Sequence, residues 1–407
     1  MKTSKSDNLC AIGLSTFLCY LTYNNIIKQL TDSMSDYVGH LNFFLGFSTA
    51  DSFVEGWKTM PYFMWHFVLY IFNQILLIPL ESAVAFSSIV FVVLTFYIFY
   101  WMIIKYCSYK NYPLSNAKAA FISFGLSVAQ PLILSWIDTD SFSPNPIHNP
   151  TQMCVRPFVL LCLCLVYDIW NKQKDTHYTG TFFNTANGLK RPYIFLTVIL
   201  FISAFAKPTF AEMFIPTVAI IMLIEWLTRL IKKDVSAKAY FKNCLKMFYC
   251  AIPTLLFILL QIFGYIILGG KTGADEGFII TKWLEVRHMF TENVILSIPI
   301  CMTFPLYMLF IDAGFYLKTN LGKLSLFGYI IGFLEAGLLG EGGERLSHGN
   351  FIWPMISAML LSFTVSMLHL LDLENTKHTK KLSIILINVA WVIFFLQVLS
   401  GLIIFLE

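Results

Sequence analysis

Residues 61–80 read P-Y-F-M-W-H-F-V-L-Y-I-F-N-Q-I-L-L-I-P-L, and whether this run crosses a membrane decides the orientation of every later segment. It is apolar enough to span. Its polar residues Tyr62, His66, Tyr70, Asn73 and Gln74, however, fall at helical spacing on one stripe, as on a helix lying in the membrane interface. The basic residues downstream arbitrate. With residues 61–80 kept out of the bilayer core, the segments around 105–118, 171–191, 229–246, 317–323 and 372–381 share one side and carry eighteen of the twenty-four Lys and Arg residues beyond position 104. Cytoplasmic loops of membrane proteins carry that excess. Residues 61–80 are therefore expected as an outward interface helix.

The rest of the chain supports a membrane setting. Of 407 residues, 57% are hydrophobic and 13% charged, where soluble domains have about 45–50% and about 25%. At roughly 20 apolar residues per span, the composition can fill about eleven spans. The expected fold is all-α, a polytopic helical bundle of about 11 transmembrane helices near residues 9–29, 82–104, 117–136, 152–170, 192–206, 212–230, 247–268, 293–316, 325–340, 351–371 and 382–405, forming a single transmembrane domain over residues 1–407. Little chain remains for a cytosolic nucleotide-binding domain, and no glycine motif for one is present. The net charge of +4 is no nucleic-acid signal.

The nine cysteines lie almost wholly in or beside apolar stretches without a C-x-x-C pair, and read as small apolar residues, not as disulfides or zinc ligands. After M-K-T-S-K-S-D-N the first apolar run has no small-residue cleavage site, so it is expected to stay as the first span. The protein is then a multi-pass component of a plasma (inner) membrane with a cytoplasmic N-terminus and an extracytoplasmic C-terminus. Outward loops fall at about 30–81, 137–151, 207–211, 269–292 and 341–350. No internal repeat or inverted duplication of the transporter kind is visible.

The outward loops hold the unusual chemistry. In the first, Asp36 and His40 are four residues apart, as are Asp51 and Glu55, so each pair shares a face on a helical turn. A carboxylate at the membrane surface, oriented by an imidazole, suits proton removal from an attacking hydroxyl. His66 belongs to the same loop. The alternative is that these acids are simply solvated. The second loop, D-T-D-S-F-S-P-N-P-I-H-N-P-T, is stiffened by three X-Pro dipeptides, and His148, Asn149 and Thr151 offer hydrogen bonds either to a polar ligand or to the loop's own turns.

Lys207 and Glu212 occupy a tight turn at the membrane edge. The segment G-E-G-G-E-R-L-S-H-G-N-F-I-W-P packs Glu341, Glu344, Arg345, His348 and Asn350 into ten residues. Its glycines permit close backbone approach, and Arg345 can fork onto phosphate oxygens or pair with a neighbouring glutamate. Lys207, Arg345 and His348 would make a cationic pocket for a lipid phosphate. Asp312 and Glu335 fall inside spans, where they either line an aqueous cavity or are paired packing groups.

The first span leading to a long outward loop with D-x-x-x-H at Asp36–His40, the aromatic M-P-Y-F-M-W-H segment and some eleven spans together resemble the GT-C superfamily of integral-membrane glycosyltransferases. That resemblance implies a polyprenyl-phosphate sugar donor, a glycan or lipid acceptor and a bundle embedded in membrane lipid, with no nucleic acid. It implies a catalytic base in the first outward loop, Asp36, with Asp51 or Glu55 in reserve, and a donor phosphate held by Lys207 and Arg345. The chain departs from the better-known subfamilies in lacking a D-E pair, a W-W-D type motif and a large C-terminal soluble domain. No metal is required, although Asp36, Asp51 and Glu55 could bind a divalent cation. The rivals are a polysaccharide polymerase or ligase using the same loops, and a transporter or flippase of a lipid-linked substrate routed through Glu212, Asp312 and Glu335.

Overall fold

A computed structural model describes residues 5–32, 35–49, 55, 62–133, 142–263, 278–343, 346, 349–376 and 381–406. They form α1 (Lys5–Gln29), α2 (Asp36–Ser48), α3 (Met64–Tyr70, continued by a π turn to Ile75), α4 (Leu80–Lys110), α5 (Asn116–Val128) and α6 (Pro150–Lys174). Next come α7 (Lys190–Ala206), α8 (Thr209–Ile231), α9 (Ala237–Ile262), β1 (Phe278–Ile280), α10 (Glu285–His288), α11 (Val294–Cys301), α12 (Thr303–Ile311) and α13 (Ala313–Lys318). The chain ends with α14 (Asn320–Leu338), β2 (Leu339–Glu341), α15 (Trp353–Asn375) and α16 (Lys381–Leu406). Two three-residue strands pair antiparallel, Phe278 opposite Glu341 and Ile280 opposite Leu339.

Among the described residues, eight helices are long and apolar enough to cross a membrane, or nine if a bent pair counts as one span, where the sequence reading expects about eleven. The three expected spans that fall short each contain or abut a proline. The residue before proline is driven out of the helical region, and proline itself lacks an N–H. Thus α5 stops at Val128 ahead of Gln130-Pro131 and has only 13 residues. Likewise α7 stops at Ala206 after 17 residues, because Lys207, preceding Pro208, is extended at φ −168° and ψ 131°.

The third is broken by 71° between α11 and α12. There Pro305 cannot donate to the Cys301 carbonyl, and the fully buried Gln397 side chain fills the gap. Its amide donates to the Cys301 oxygen at 3.3 Å and its oxygen accepts from the Phe304 N–H at 3.1 Å. In an apolar interior both groups need such a partner.

Packing is concentric. The apolar stretch of α15 is 94% buried by the protein and that of α6 is 83% buried, against 28% for α8 and α9. These two are the central helices, and α8, α9 and α16 present Leu223, Leu256, Val392 and Phe395 outward. An apolar exterior of this extent belongs in lipid. Helix α14 approaches α15 closely at Gly332, where an added Cβ would lie 2.7 Å from the Met355 Cα.

Contacts sort the loops to two ends. At one, Lys28 at the end of α1 donates to the Leu406 carbonyl at 2.8 Å and Gln29 to that of Ile147 at 3.3 Å. At the other, Tyr106 donates to Asp372 at 2.7 Å, Lys118 pairs with Glu374 at 2.6 Å, Lys174 donates to Asn320 at 3.1 Å and Lys323 meets Glu225 at 3.3 Å. The basic segments gather at that second end.

Candidate functional site

The site is built at the first end by helix starts and stops. Ser35 caps α2, its hydroxyl accepting from the Tyr37 N–H, and so sets Asp36 in the first turn. Helix α2 is fastened to α4 through Ser88, which accepts from the Tyr37 hydroxyl and from the Trp65 indole, each at 3.0 Å. One turn after Asp36, His40 meets His66 of α3, Nδ1 to Nε2, at 3.3 Å. Both imidazoles are buried. Burial, then the neighbouring His66 and the Lys207 ammonium, hold His40 well below the ordinary histidine value, and burial takes His66 down to about 3. Both are neutral at physiological pH.

Asn149 is the centre of the arrangement. As the cap of α6, with Pro150 behind it, its side-chain oxygen accepts from the Gln152 N–H at 2.8 Å and the Thr151 hydroxyl at 2.9 Å. The same oxygen accepts from Lys207 Nζ at 3.3 Å, while its amide donates to Asp36 Oδ2 at 2.7 Å. One side chain therefore links a carboxylate 113 residues before it to an ammonium 58 residues after it.

Lys207 reaches this point because Pro208 pulls it out of α7. Its Nζ lies 4.0 Å from the centre of the Trp353 ring, at the start of α15. Burial lowers its pKa to about 7, against the pull of Asp36 and Glu212. The His148 ring sits 5.7 Å from Trp353 and stays open to solvent. Enclosure by protein on its other sides lowers its pKa, with Asp36 opposing and Lys207 assisting. An open imidazole thus shares the electrostatic field of a buried amine and a half-buried carboxylate. Such a set can accept a proton on one side and hold an anion on the other.

The structure brings together Asp36, His40, His66, His148, Asn149 and Lys207. His66 departs from the expected interface stripe: with Trp65 and Leu69 it forms the protein-facing side of α3, while Tyr70 and Gln74 stay outside. Glu341 and Asn350 are bonded to one another at 2.6 Å, clasping the base of the loop that leads into Trp353. Glu55 is exposed. Asp51, Glu344, Arg345 and His348 lie outside the described residues. Among the described residues no cluster of three His, Cys, Asp or Glu side chains could hold a metal ion.

Sequence reasoning passes over three contributors. Trp353 stands at the tail of the glycine-rich segment, and only its cation contact reveals its part. Gln152 ties α6 to α15 through the Ser357 hydroxyl at 2.8 Å and accepts from Thr209 at 3.3 Å, fixing the start of α8 beside Lys207. Arg156, fully buried one turn further along α6, donates to Asn145. An Asn-Pro pair is a helix-start signal, which marks Asn149 as a cap but says nothing of Asp36 or Lys207.

Below the site, between α7, α8 and α9, lies a cavity of about 330 Å³ lined by apolar side chains including Leu196, Leu200, Phe214, Val218, Trp226 and Phe241. Its upper wall at Phe214 is two residues from Glu212. No protein-family model matches this chain, and no curated protein matches it.

Proposed function

We propose that the protein is an integral-membrane glycosyltransferase that moves a sugar from a polyprenyl-phosphate donor to an acceptor hydroxyl on the extracytoplasmic face. The observation that carries this reading is the Asp36–Asn149–Lys207 linkage: a carboxylate and a buried cation held on either side of one amide, beside a solvent-open histidine. The apolar cavity between α7, α8 and α9 suits the donor's prenyl chain, entering from lipid with its phosphate toward Lys207.

In the proposed reaction the acceptor oxygen attacks the anomeric carbon, Asp36 takes its proton, and the bond from that carbon to the phosphate oxygen breaks. The electron pair leaves with the polyprenyl phosphate, whose charge the protonated Lys207 stabilises, with Arg345 and His348 assigned the same task. Attack opposite the leaving group inverts the anomeric centre. No divalent cation enters this scheme.

The reading also includes eleven membrane crossings. Helix α5 runs from Lys118 at the basic end to carbonyls that bond Asn145 at the site end, and α7 from Tyr193, beside Gln173 of α6, up to Lys207. Adding both to the eight long helices and the bent pair gives an odd number, in keeping with the C-terminal ends of α1 and α16 lying side by side. The basic end then faces the cytoplasm.

A flippase or transporter is the second reading, favoured by the broken α11–α12 unit and by the His369–Asp312 contact at 3.2 Å. Transfer of labelled sugar from polyprenyl-phosphate donors separates the two. Purified wild-type protein should catalyse transfer, and Asp36→Asn, folded and inserted, should lose it by at least about a hundredfold. Lipid-linked sugar moved across vesicles without transfer would overturn the enzyme reading.

A further inference from the structure

Arg156 is 2% exposed, two turns into the centrally placed α6. One of its terminal nitrogens donates to Asn145 Oδ1, and its Nε–H makes no hydrogen bond. No carboxylate pairs with it among the described residues. Asn145 cannot neutralise it. That side chain is a neutral amide, itself fully buried, whose nitrogen is committed to the carbonyls of Leu126 at 3.2 Å and Ala129 at 2.7 Å.

Lys207 is differently placed, since Asp36 and Glu212 share its field and an amine can shed its proton. A guanidinium does not deprotonate in a protein, and an unpaired buried charge is among the costliest groups a fold can carry. A fixed cation with an unused N–H at this depth has the character of half a binding site.

We propose that Arg156 binds an oxyanion, the phosphoryl group of a lipid, at a position separate from Lys207. The planar fork of N–H groups matches phosphoryl oxygens. The depth argues for a lipid carrier. The Arg156 backbone is seven residues past Asn149, about 10 Å further along the axis of α6 at 1.5 Å per residue, and its guanidinium reaches back to Asn145 of the second loop, so the charge stands at the loop end of the apolar helices, the level of a lipid headgroup. The carrier is a polyprenyl phosphate or a membrane phospholipid, which share this chemistry. The site does not depend on sugar transfer by Asp36: transfer can fail and the anion still bind, and the reverse.

The test is the apparent unfolding temperature of the purified, detergent-solubilised protein with three probes added separately: a polyprenyl phosphate, phosphatidylglycerol and inorganic pyrophosphate. A saturating lipid phosphate should raise the wild-type value by about 3 °C. Arg156→Gln, which keeps a neutral donor for Asn145, should match or exceed the wild type without probe and lose the response. Arg156→Lys, keeping charge without the fork, should need roughly tenfold more probe. The responding lipid identifies the carrier, and a response to pyrophosphate alone contradicts a lipid-borne group. No response in the wild type, an equal response in Arg156→Gln, or a ligand-free Arg156→Gln less stable than the wild type would each overturn the proposal, the last by making Arg156 a structural tie.

Discussion

The Asn149 amide donates to Asp36 at 2.7 Å while its oxygen accepts from Lys207 at 3.3 Å, so the cap of the central helix also bridges the proposed base and the proposed phosphate-holding cation. Capping and bridging separate under mutation. Asn149→Ser keeps an oxygen for the Gln152 N–H but is too short to reach both partners. It should stay within about 1 kcal/mol of wild-type stability yet lose roughly tenfold to a hundredfold in transfer rate. Thermal unfolding measured beside transfer checks both. Wild-type transfer in Asn149→Ser would reduce Asn149 to a cap.

Lys207 makes stability depend on pH in a defined sense. Its pKa of about 7 lies below the ordinary lysine value of 10.5, so between those limits the unfolded chain binds the extra proton. Stability therefore rises with pH across that window, by up to about 1.4 kcal/mol per unit. Below about pH 7 the full cost of burying the ammonium is present. Lys207→Met should flatten the slope of unfolding temperature between neutral and alkaline pH. The bound phosphate needs the protonated amine, so donor affinity should fall over the range in which stability climbs.

Acid acts through the histidine pair. His66 is held near 3 and His40 well below 6.5, so from about pH 6.5 downward the unfolded state takes up protons that the folded state refuses. Stability should drop as pH falls through that window. His66→Gln, with a neutral amide facing His40, should lose part of the acid sensitivity. Unchanged acid unfolding in that variant would mean another group controls it.

Gln397 should be among the least replaceable polar residues of the transmembrane region. Gln397→Leu strands the Phe304 N–H in an apolar interior, at a cost of about 1–3 kcal/mol. Gly332→Val should cost a further 1–3 kcal/mol, roughly, by forcing α14 from the Met355 backbone. Unfolding temperatures and the yield of folded protein in detergent read both effects.

The sequence speaks clearly on what is local. The helical class, the long apolar runs and the breaks at Pro131, Pro208 and Pro305 are all written in neighbouring residues, and the prolines explain why three expected spans shorten or bend. The polar stripe on residues 61–80 is equally local, but it cannot say whether a polar side chain meets water or another part of the protein. His66 turned inward to His40 because Trp65 and Leu69 flank it on the buried side. The meeting of Asp36, Asn149 and Lys207 is a long-range fact, set by how α2, α6 and α7 are stacked, and no spacing within the chain encodes it. Arg156 escapes sequence reading for the opposite reason. It sits at the edge of a span where a basic residue passes for an interfacial anchor, and only its burial without an acid partner distinguishes it.

The central claim is that residues from four distant segments form one site on the extracytoplasmic face. Labelling of single cysteines by a membrane-impermeant maleimide tests it, with the nine native cysteines replaced. Thr31 and Lys232 are both exposed, one at each end of the bundle. Thr31→Cys should label in intact cells and Lys232→Cys only after permeabilisation. Labelling of Lys232→Cys in intact cells, with Thr31→Cys protected, would put Asp36 and Lys207 on the cytoplasmic side and contradict the account.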